Sequence, residues 1–476
     1  MRRLARTVLA LWCCGCAVGP NFVRPDPPDV DRYGSEAIPD DPHLALGREI
    51  AAEWWTLFRS PDLDRLLAQA VAANPTLAAA RATLMQAREN TNAAVGGLFP
   101  EIDATAGASR ERSARLREGR NVGSDTANLY SLGVGVSYAL DVFGGVRRTI
   151  EREDALADAQ HFELAAAYLT LTGNAVTQAV AIASLRAQIA ASEQIVADDE
   201  QNLALVQRKL DAGKAARSDV LTAQTQLAAD AALLPPLRQQ LAAARHALAV
   251  IAGELPARYA APEFELASFV PLEEIPVTLP SELVRQRPDI LAAEAQLHAA
   301  SAEIGVATAD LFPKLVLSGS LGTQALTTGA LFSSPASAWM IAADAAQPIF
   351  RGGTLRAQRR AAIAAYDASL ATYQQTVHEG FQQVADLLSA LGHDRDATDA
   401  QRTLFDTAHE ALRLQRIGYE AGKTDALRLI DAQRSYQRAS LDLARAQAQQ
   451  LQNSALLVVA LGGGWSDAAI GVETGG

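Results

Sequence analysis

Residues 146–212 contain no proline and are rich in alanine, leucine, glutamine and glutamate. A single helix of that span, at 1.5 Å per residue, reaches roughly 100 Å. No compact globular domain needs a helix of that reach. The sequence therefore predicts an elongated, mainly helical molecule in which long helices find partners along their length.

The long run is part of a unit that occurs twice. Asn74-Pro75-Thr76-Leu77 matches Arg287-Pro288-Asp289-Ile290, and Phe99-Pro100 matches Phe312-Pro313, both at a spacing of 213 (287 − 74 and 312 − 99). Further on, Asp211-Ala212-Gly213-Lys214 matches Glu420-Ala421-Gly422-Lys423, and Leu221-Thr222-Ala223-Gln224 matches Ile430-Asp431-Ala432-Gln433, both at 209 (420 − 211 and 430 − 221). A tandem duplication with a few residues lost in between accounts for both spacings. Each copy carries a helix, a Phe-Pro break, two alternating segments, a very long helix, a Gly-Lys turn and a final helix. The expected domains are a first repeat over 61–252, a Pro-rich linker over 253–280 and a second repeat over 281–463. A loose tail over 464–476 follows.

The alternating segments predict strands. Leu132, Val134, Val136, Tyr138 and Leu140 alternate with Ser131, Gly133, Gly135, Ser137 and Ala139, the period of two that puts apolar side chains on one face. Segments 101–109, 314–323 and 338–349 alternate more weakly, so four strands of about ten residues are expected around 101–109, 130–140, 314–323 and 338–349. Residues 110–130 and 324–337 would be the connecting loops, the first carrying Arg110, Arg112, Arg115, Arg117 and Arg120. Beyond residue 16 no run of 18 or more apolar residues occurs, so any membrane crossing falls to strands. Four strands cannot close a barrel, and an open edge in hydrocarbon strands backbone N–H and C=O groups at several kcal/mol each. The chain must borrow strands from copies of itself. Two chains would supply eight strands and three would supply twelve, and the physics of closure does not choose between them.

Gly213 with Lys214, and Gly422 with Lys423, each close a long helix, with Ser218 and Thr424 available to cap the next. These are the expected tips of two helical hairpins. The last helix keeps a coiled-coil seam through Leu427, Ile430, Leu441, Ala444, Ala448, Leu451, Ala455 and Val458, with Arg434 and Gln437 as polar interruptions. Its first-half counterpart is interrupted by Pro235-Pro236, which must end or kink the helix.

The three cysteines of the chain are Cys13, Cys14 and Cys16, so neither a disulfide framework nor a dispersed metal site can be built. Arg2, Arg3 and Arg6 precede the apolar run Val8–Trp12, the pattern of a secretory signal over 1–15. Gly15-Cys16 resembles a bacterial lipoprotein cleavage site, with Cys13 where such sites usually carry leucine. Cys16 would then become the N-terminus of an extended leader over 16–60 and carry a covalent lipid. A net charge of −12 argues against a nucleic-acid partner. The seven histidines are scattered with no HExxH, and no GxSxG or phosphate-cradling glycine loop occurs, so neither a metal or other cofactor nor a catalytic site is expected.

Specific stretches resemble one family. Cys16-Ala17-Val18-Gly19-Pro20-Asn21-Phe22, followed by Pro25, resembles the mature start of the lipoprotein branch of the TolC-like outer-membrane efflux proteins. Leu140-Asp141-Val142-Phe143-Gly144 and Gln347-Pro348-Ile349-Phe350 resemble the ends of their membrane strands, and Leu427 to Arg434 resembles their signature in the final helix. The resemblance covers nearly the whole mature chain. It implies a homotrimer with a twelve-stranded barrel in the outer membrane and a long helical tunnel through the periplasm. The conduit would be closed at its inner end until a periplasmic adaptor and an inner-membrane pump engage it, with the hairpin tips as adaptor contacts.

The same resemblance places a periplasmic gate at Leu427, Asp431 and Arg434, which share one helix face at i, i+4 and i+7. On spacing alone Asp431 and Arg434 are an ordinary surface pair worth a few tenths of a kcal/mol. The family often has a second acidic residue three positions before the one matched to Asp431, where this chain has Arg428. The alternatives to an efflux channel are a duct for type I protein secretion and a lipid-anchored coiled-coil scaffold without a pore; the strands speak against the scaffold.

Overall fold

The computed structural model describes residues 17–34, 44–46, 50–117, 120–272 and 275–472. The signal segment 1–15 and Cys16 lie outside the described residues. In chain order the elements of the first half are β1 (Leu44–Leu46), α1 (Pro61–Ala73), α2 (Pro75–Gly96), β2 (Glu101–Arg117), β3 (Arg120–Leu140), α3 (Gly145–Asp211), α4 (Arg217–Ala231) and α5 (Leu234–Ile251). Those of the second are β4 (Ile275–Val277), α6 (Pro280–Gln286), α7 (Pro288–Ala309), β5 (Lys314–Ala325), β6 (Ser337–Ala346), α8 (Thr354–Glu420), α9 (Ala426–Ala460) and α10 (Asp467–Ile470).

The duplication is written into these bounds. Helices α2 and α7 have 22 residues each and start 213 apart (288 − 75), while α3 and α8 have 67 each and start 209 apart (354 − 145). β2 and β5 also start 213 apart (314 − 101), so the residues missing from the second repeat are lost inside its β-hairpin. The chain forms two compact units.

The first unit takes in residues 83–160, 292–374 and the described start of the chain up to residue 25. It holds one antiparallel sheet in the order β2-β3-β5-β6. Directly opposed residues share a face, so register sorts the side chains. Ala104, Val134, Leu321 and Trp339 form one row, and Ile102, Val136, Gly319 and Ile341 the next, on the same face. The opposite face carries Asp103, Gly135, Ser320 and Met340 in one row and Ala139, Val316 and Asp344 in another. Val134, Val136, Leu321, Trp339 and Ile341 are all exposed.

Beside the sheet, the described start of the chain is tied down. Val18 N donates to Phe143 O at 3.1 Å, Phe22 stacks on His298 at 4.4 Å, and Arg148 donates to Asn21 Oδ1 at 2.8 Å and Val18 O at 3.1 Å. Gly19 and Gly305 touch here: a Cβ on Gly19 would stand 2.5 Å from the Gly305 Cα, which only glycine permits.

The second unit takes in residues 26–82, 161–291 and the described part of 375–476. Its core includes Tyr33, Val277, Leu283, Val384, Leu388, Leu457 and Leu461. The repeat-equivalent residues Asn74 and Arg287 play matching parts there. Asn74 accepts from Thr76 N at 2.8 Å, capping α2, and its amide donates to Ile251 O at 2.9 Å at the end of α5. Arg287 holds Asp289 at 2.8 Å at the start of α7 and donates to Ala460 O at 3.0 Å at the end of α9. It also reaches Gln383 Oε1 at 2.6 Å on α8. Each residue ties the start of one helix to the carbonyl end of another.

Several expectations are corrected. The segment 110–130, expected as a loop, is largely strand: β2 and β3 stay paired through Arg110↔Asn128 and Arg112↔Thr126, with an irregularity between Ala114 and Leu116. Ladder hydrogen bonds do not require apolar side chains, so charge in 110–117 does not end the strand. β6 stops at Ala346 rather than 349, short of Pro348, which has no N–H to give. The leader over 16–60 is not wholly extended, since residues 54–58 form a 3-10 turn that buries Trp54, Trp55 and Phe58. The linker over 253–280 includes the short strand β4, parallel to β1. The tail over 464–476 is not loose in its described part: Trp465 donates to Gln286 O at 3.1 Å, and α10 buries Ile470. Pro235-Pro236 sit in the first turn of α5, after α4 has ended at Ala231, whereas α9 continues unbroken for 35 residues.

Arg287 is buried and serves three helices, so Arg287→Met should destabilise the protein by about 1–3 kcal/mol, the scale of leaving buried acceptors without a donor. Asn74→Ala should cost about 1 kcal/mol, the scale of a lost helix cap. Denaturant unfolding of the detergent-extracted protein checks the order of the two.

Candidate functional site

The hairpin tips are built by glycine. Gly213 has φ +68° and Gly422 φ +70°. In the first tip Gly213 N donates to Leu210 O at 2.9 Å and Lys214 N to Lys209 O at 2.7 Å. In the second, Gly422 N donates to Tyr419 O at 3.1 Å and Lys423 N to Gly418 O at 2.7 Å. This is the paired-bond stop that needs a left-handed residue just past the helix. A Cβ on either glycine would meet nothing, so backbone conformation alone demands glycine.

The next helices are capped by acids rather than by Ser218 and Thr424. Asp219 accepts from Ala216 N at 2.9 Å, and Asp425 accepts from Arg428 N at 2.9 Å. Between the tips, the Lys209 ammonium stands 3.4 Å over the Tyr419 ring and donates to Tyr419 O at 3.3 Å. Just behind, Val206 of α3, Val220 and Ala223 of α4, Leu412 and Tyr419 of α8, and Leu429 of α9 form one apolar cluster. Four helices therefore converge behind the two tips.

The three candidate gate residues fall on the first turns of α9. Leu427 is 63% exposed, although large and apolar. Asp431 is exposed as well, and Ser435 Oγ donates to its backbone carbonyl at 2.9 Å, leaving the carboxylate on the surface. Arg434 does not pair with Asp431. It crosses to α4, where its Nε donates to Gln226 Oε1 at 2.8 Å.

Sequence reasoning missed what Gln226 is part of. Its amide donates to Asp230 Oδ2 at 2.7 Å, and Gln437 donates to Asp230 Oδ1 at 2.8 Å. Arg434 and Gln437, the two polar interruptions of the α9 seam, are thus both engaged with α4. The signal was present on the other side as well, since Gln226 and Asp230 stand four apart on one face of α4. A cavity of about 700 Å³ opens beside this network, lined by Asp230, Leu404, Arg434 and Arg438 among others. Among the described residues no group of three or more His, Cys, Asp or Glu is arranged to hold a metal ion. No helix among them is long and apolar enough to cross a membrane.

An antiparallel four-stranded sheet with an exposed apolar face, carried by a duplicated set of long helices, is the chain architecture of outer-membrane efflux channels. The family described as outer membrane efflux protein matches residues 66–254 and 279–463, and the chain belongs to it. It is 33% identical to the pyoverdine export outer membrane protein OpmQ of Pseudomonas aeruginosa, over 97% of this chain and 96% of that one. It is 30% identical to the outer membrane protein OprJ of the same organism, over 97% and 95%. Among solved structures, the outer-membrane channel OprN superposes with a TM-score of 0.87 at 30% identity, covering 94% of this chain and all of that one. The open state of the Neisseria gonorrhoeae MtrE outer membrane channel does so with 0.84 at 28%, covering 94% and 98%. The protein is accordingly an outer-membrane efflux component.

Gly213→Ala and Gly422→Ala should each cost about 1–2 kcal/mol, the strain of a left-handed alanine. Gly422→Asn should cost less, because asparagine tolerates that conformation. Proteolysis at the tips, compared across the three variants, reads the difference.

Proposed function

We propose that this chain is one subunit of a homotrimeric, lipid-anchored conduit that exports small molecules across the periplasm and outer membrane. The observation that carries the proposal is the sheet: one face carries Val134, Val136, Leu321, Trp339 and Ile341, the other is mostly small and polar, with Val316 and Met340 among its exceptions, and no strand is paired beyond β2 and β6 among the described residues. Three copies would supply twelve strands and leave no edge, with the apolar face toward lipid and the polar face lining water. The conduit performs no chemistry, and the energy for transport comes from an inner-membrane pump that an adaptor couples to the hairpin tips. Gly213, Lys214, Gly422 and Lys423 would present the adaptor contacts, and Leu427, Asp431 and Arg434 would form the gate at the periplasmic end. The relatives are named for export of pyoverdine and, in Pseudomonas putida, of solvent and toluene, which favours small cargo over polypeptide.

The lipid on Cys16 is supported by its neighbours. Val18 is bound to Phe143, three residues past the end of β3, and Phe143 stacks on Phe312, which closely precedes β5, at 4.8 Å. An acyl chain attached two residues before Val18 would start near the ends of the strands, where the bilayer surface would lie. Cys16→Ser should abolish incorporation of labelled fatty acid while the remaining chain still folds.

Planar-bilayer conductance of the purified oligomer tests the pore and the gate together. The unaltered chain should give small stable steps, and Asp431→Ala with Arg434→Ala should give larger ones. Folded oligomers of both that insert and stay silent would defeat the pore. Val134→Arg, on the apolar face, should destabilise the membrane form by about 2–4 kcal/mol, and Ser320→Arg, on the polar face, by much less. The yield of heat-resistant oligomer in outer-membrane fractions compares them.

A further inference from the structure

The antiparallel register sorts the charges of the sheet by face. On the face that carries Val134 and Val136, the rows continue through Ala106 with Leu132 and Ala108 with Tyr130 to Arg110 with Asn128 and Arg112 with Thr126. From Glu101 to Ala114 on β2, and across the partners in β3, β5 and β6, Arg110 and Arg112 are the two charged residues of this face. The acids Glu101, Asp103, Glu111, Asp125 and Asp344 all stand on the other face, together with Lys314. Arg110, Glu111 and Arg112 are consecutive, so the pleat alone separates the cations from the acid between them.

The height of the pair along the strands follows from the same register. The apolar face runs from Leu140 to Tyr130, ten residues (140 − 130). That is about 34 Å of strand, or about 25 Å of height at the usual tilt of a membrane strand, which matches the apolar band of such barrels. Tyr130 stands at the edge, where aromatic side chains mark the interface. Arg110 and Arg112 follow one and two rows further, about 5 and 10 Å above the band, at the depth of lipid headgroups. Leu140 leads into α3 at Gly145, so the arginines lie at the end of the sheet away from the long helices.

Neither cation is neutralised. Both are exposed; Arg110 makes no hydrogen bond or ion pair among the described residues, and Arg112 donates only its Nε, to Ser124 Oγ at 2.8 Å. Another copy closing its β6 on β2 would bring no acid to this face, since Asp344 stands on the other.

We propose that Arg110 and Arg112 form a binding site for the phosphate groups of anionic lipid headgroups in the outer leaflet. The inference rests on the barrel reading above, in which the Val134 face meets lipid. A guanidinium can give two parallel N–H bonds to one phosphate, so the pair can grip a diphosphorylated headgroup or two neighbouring ones. The apolar rows below receive the acyl chains of the same lipid, which a soluble anion lacks.

The full-length oligomer in neutral detergent is titrated with a fluorescent diphosphorylated disaccharide lipid, and with the same lipid stripped of its phosphates. Arg110→Gln and Arg112→Gln should each weaken binding of the phosphorylated lipid about fivefold, the scale of one arginine at an anionic lipid surface, and the double variant about 25-fold. The stripped lipid should not distinguish the double variant from the unaltered chain, and Lys314→Gln, on the opposite face, should change neither affinity. Binding by the unaltered chain should weaken as salt rises, and indifference to salt overturns the proposal without recourse to any variant. Equal affinity in the double variant overturns it too, as does inorganic phosphate competing as well as the lipid. In vesicles, lipids brominated on their acyl chains should quench a fluorescence that Trp339→Phe removes, because Trp339 lies on the apolar face. Quenching together with unchanged headgroup binding in the double variant removes this proposal alone, whereas no quenching removes the barrel reading and this proposal with it.

Discussion

Backbone groups on a strand edge cannot be left bare in hydrocarbon, and that constraint governs everything else in this chain. β2 and β6 are each paired on one side within the sheet. With one face apolar and no further strand beside β2 or β6 among the described residues, the sheet satisfies its edge hydrogen bonds in hydrocarbon only alongside strands from outside this set. The helices make a similar demand. α3 and α8 each run 67 residues, far beyond what one chain's compact core requires, so helices of that length have the most to gain from neighbours along their sides.

Duplication supplies the framework and divergence supplies the site. Asn74 and Arg287 occupy equivalent positions and do equivalent work, yet one is a neutral amide and the other a buried cation serving three helices. The final helices differ more. α9 is continuous, while its counterpart is divided between α4 and α5 just ahead of two prolines. The polar cluster lies at that inequality: Asp230, in the last turn of α4, meets Gln437 in the continuous helix. A perfect repeat would have placed like residues opposite like, and the carboxylate–amide pairing would have no reason to arise.

The helices and the repeat were legible because they are local and periodic: a proline-free run, an alternation of Leu132, Val134 and Val136, and a Gly-Lys pair after each long helix state their geometry directly. The outer halves of β2 and β3 were not legible, because Arg110, Glu111 and Arg112 carry no apolar alternation and are held by ladder bonds that sequence does not display. Burial of Trp54 and Phe58, and docking of Trp465 on Gln286, depend on residues far away in sequence. At the candidate site, sequence placed Arg434 among its polar interruptions but not its partner. The partner is Gln226, 208 positions away, and only the folded bundle sets the two side by side.

A buried polar cluster is a poor way to join helices if stability is the only aim. Apolar side chains at 226 and 230 would remove the desolvation penalty and extend the apolar seam that Val220 and Ala223 already form on α4. What an apolar seam does not supply is direction. Asp230 accepts from Gln226 on its own helix and from Gln437 on α9, and Gln226 accepts in turn from Arg434, so α4 and α9 are matched at two points one turn apart. A slid or rotated pairing of the two helices would leave Asp230 buried without its donors, a cost that apolar side chains never impose. The polar interruptions of the seam therefore fix the register of α9 against α4, which packing of alanines and leucines alone leaves loose.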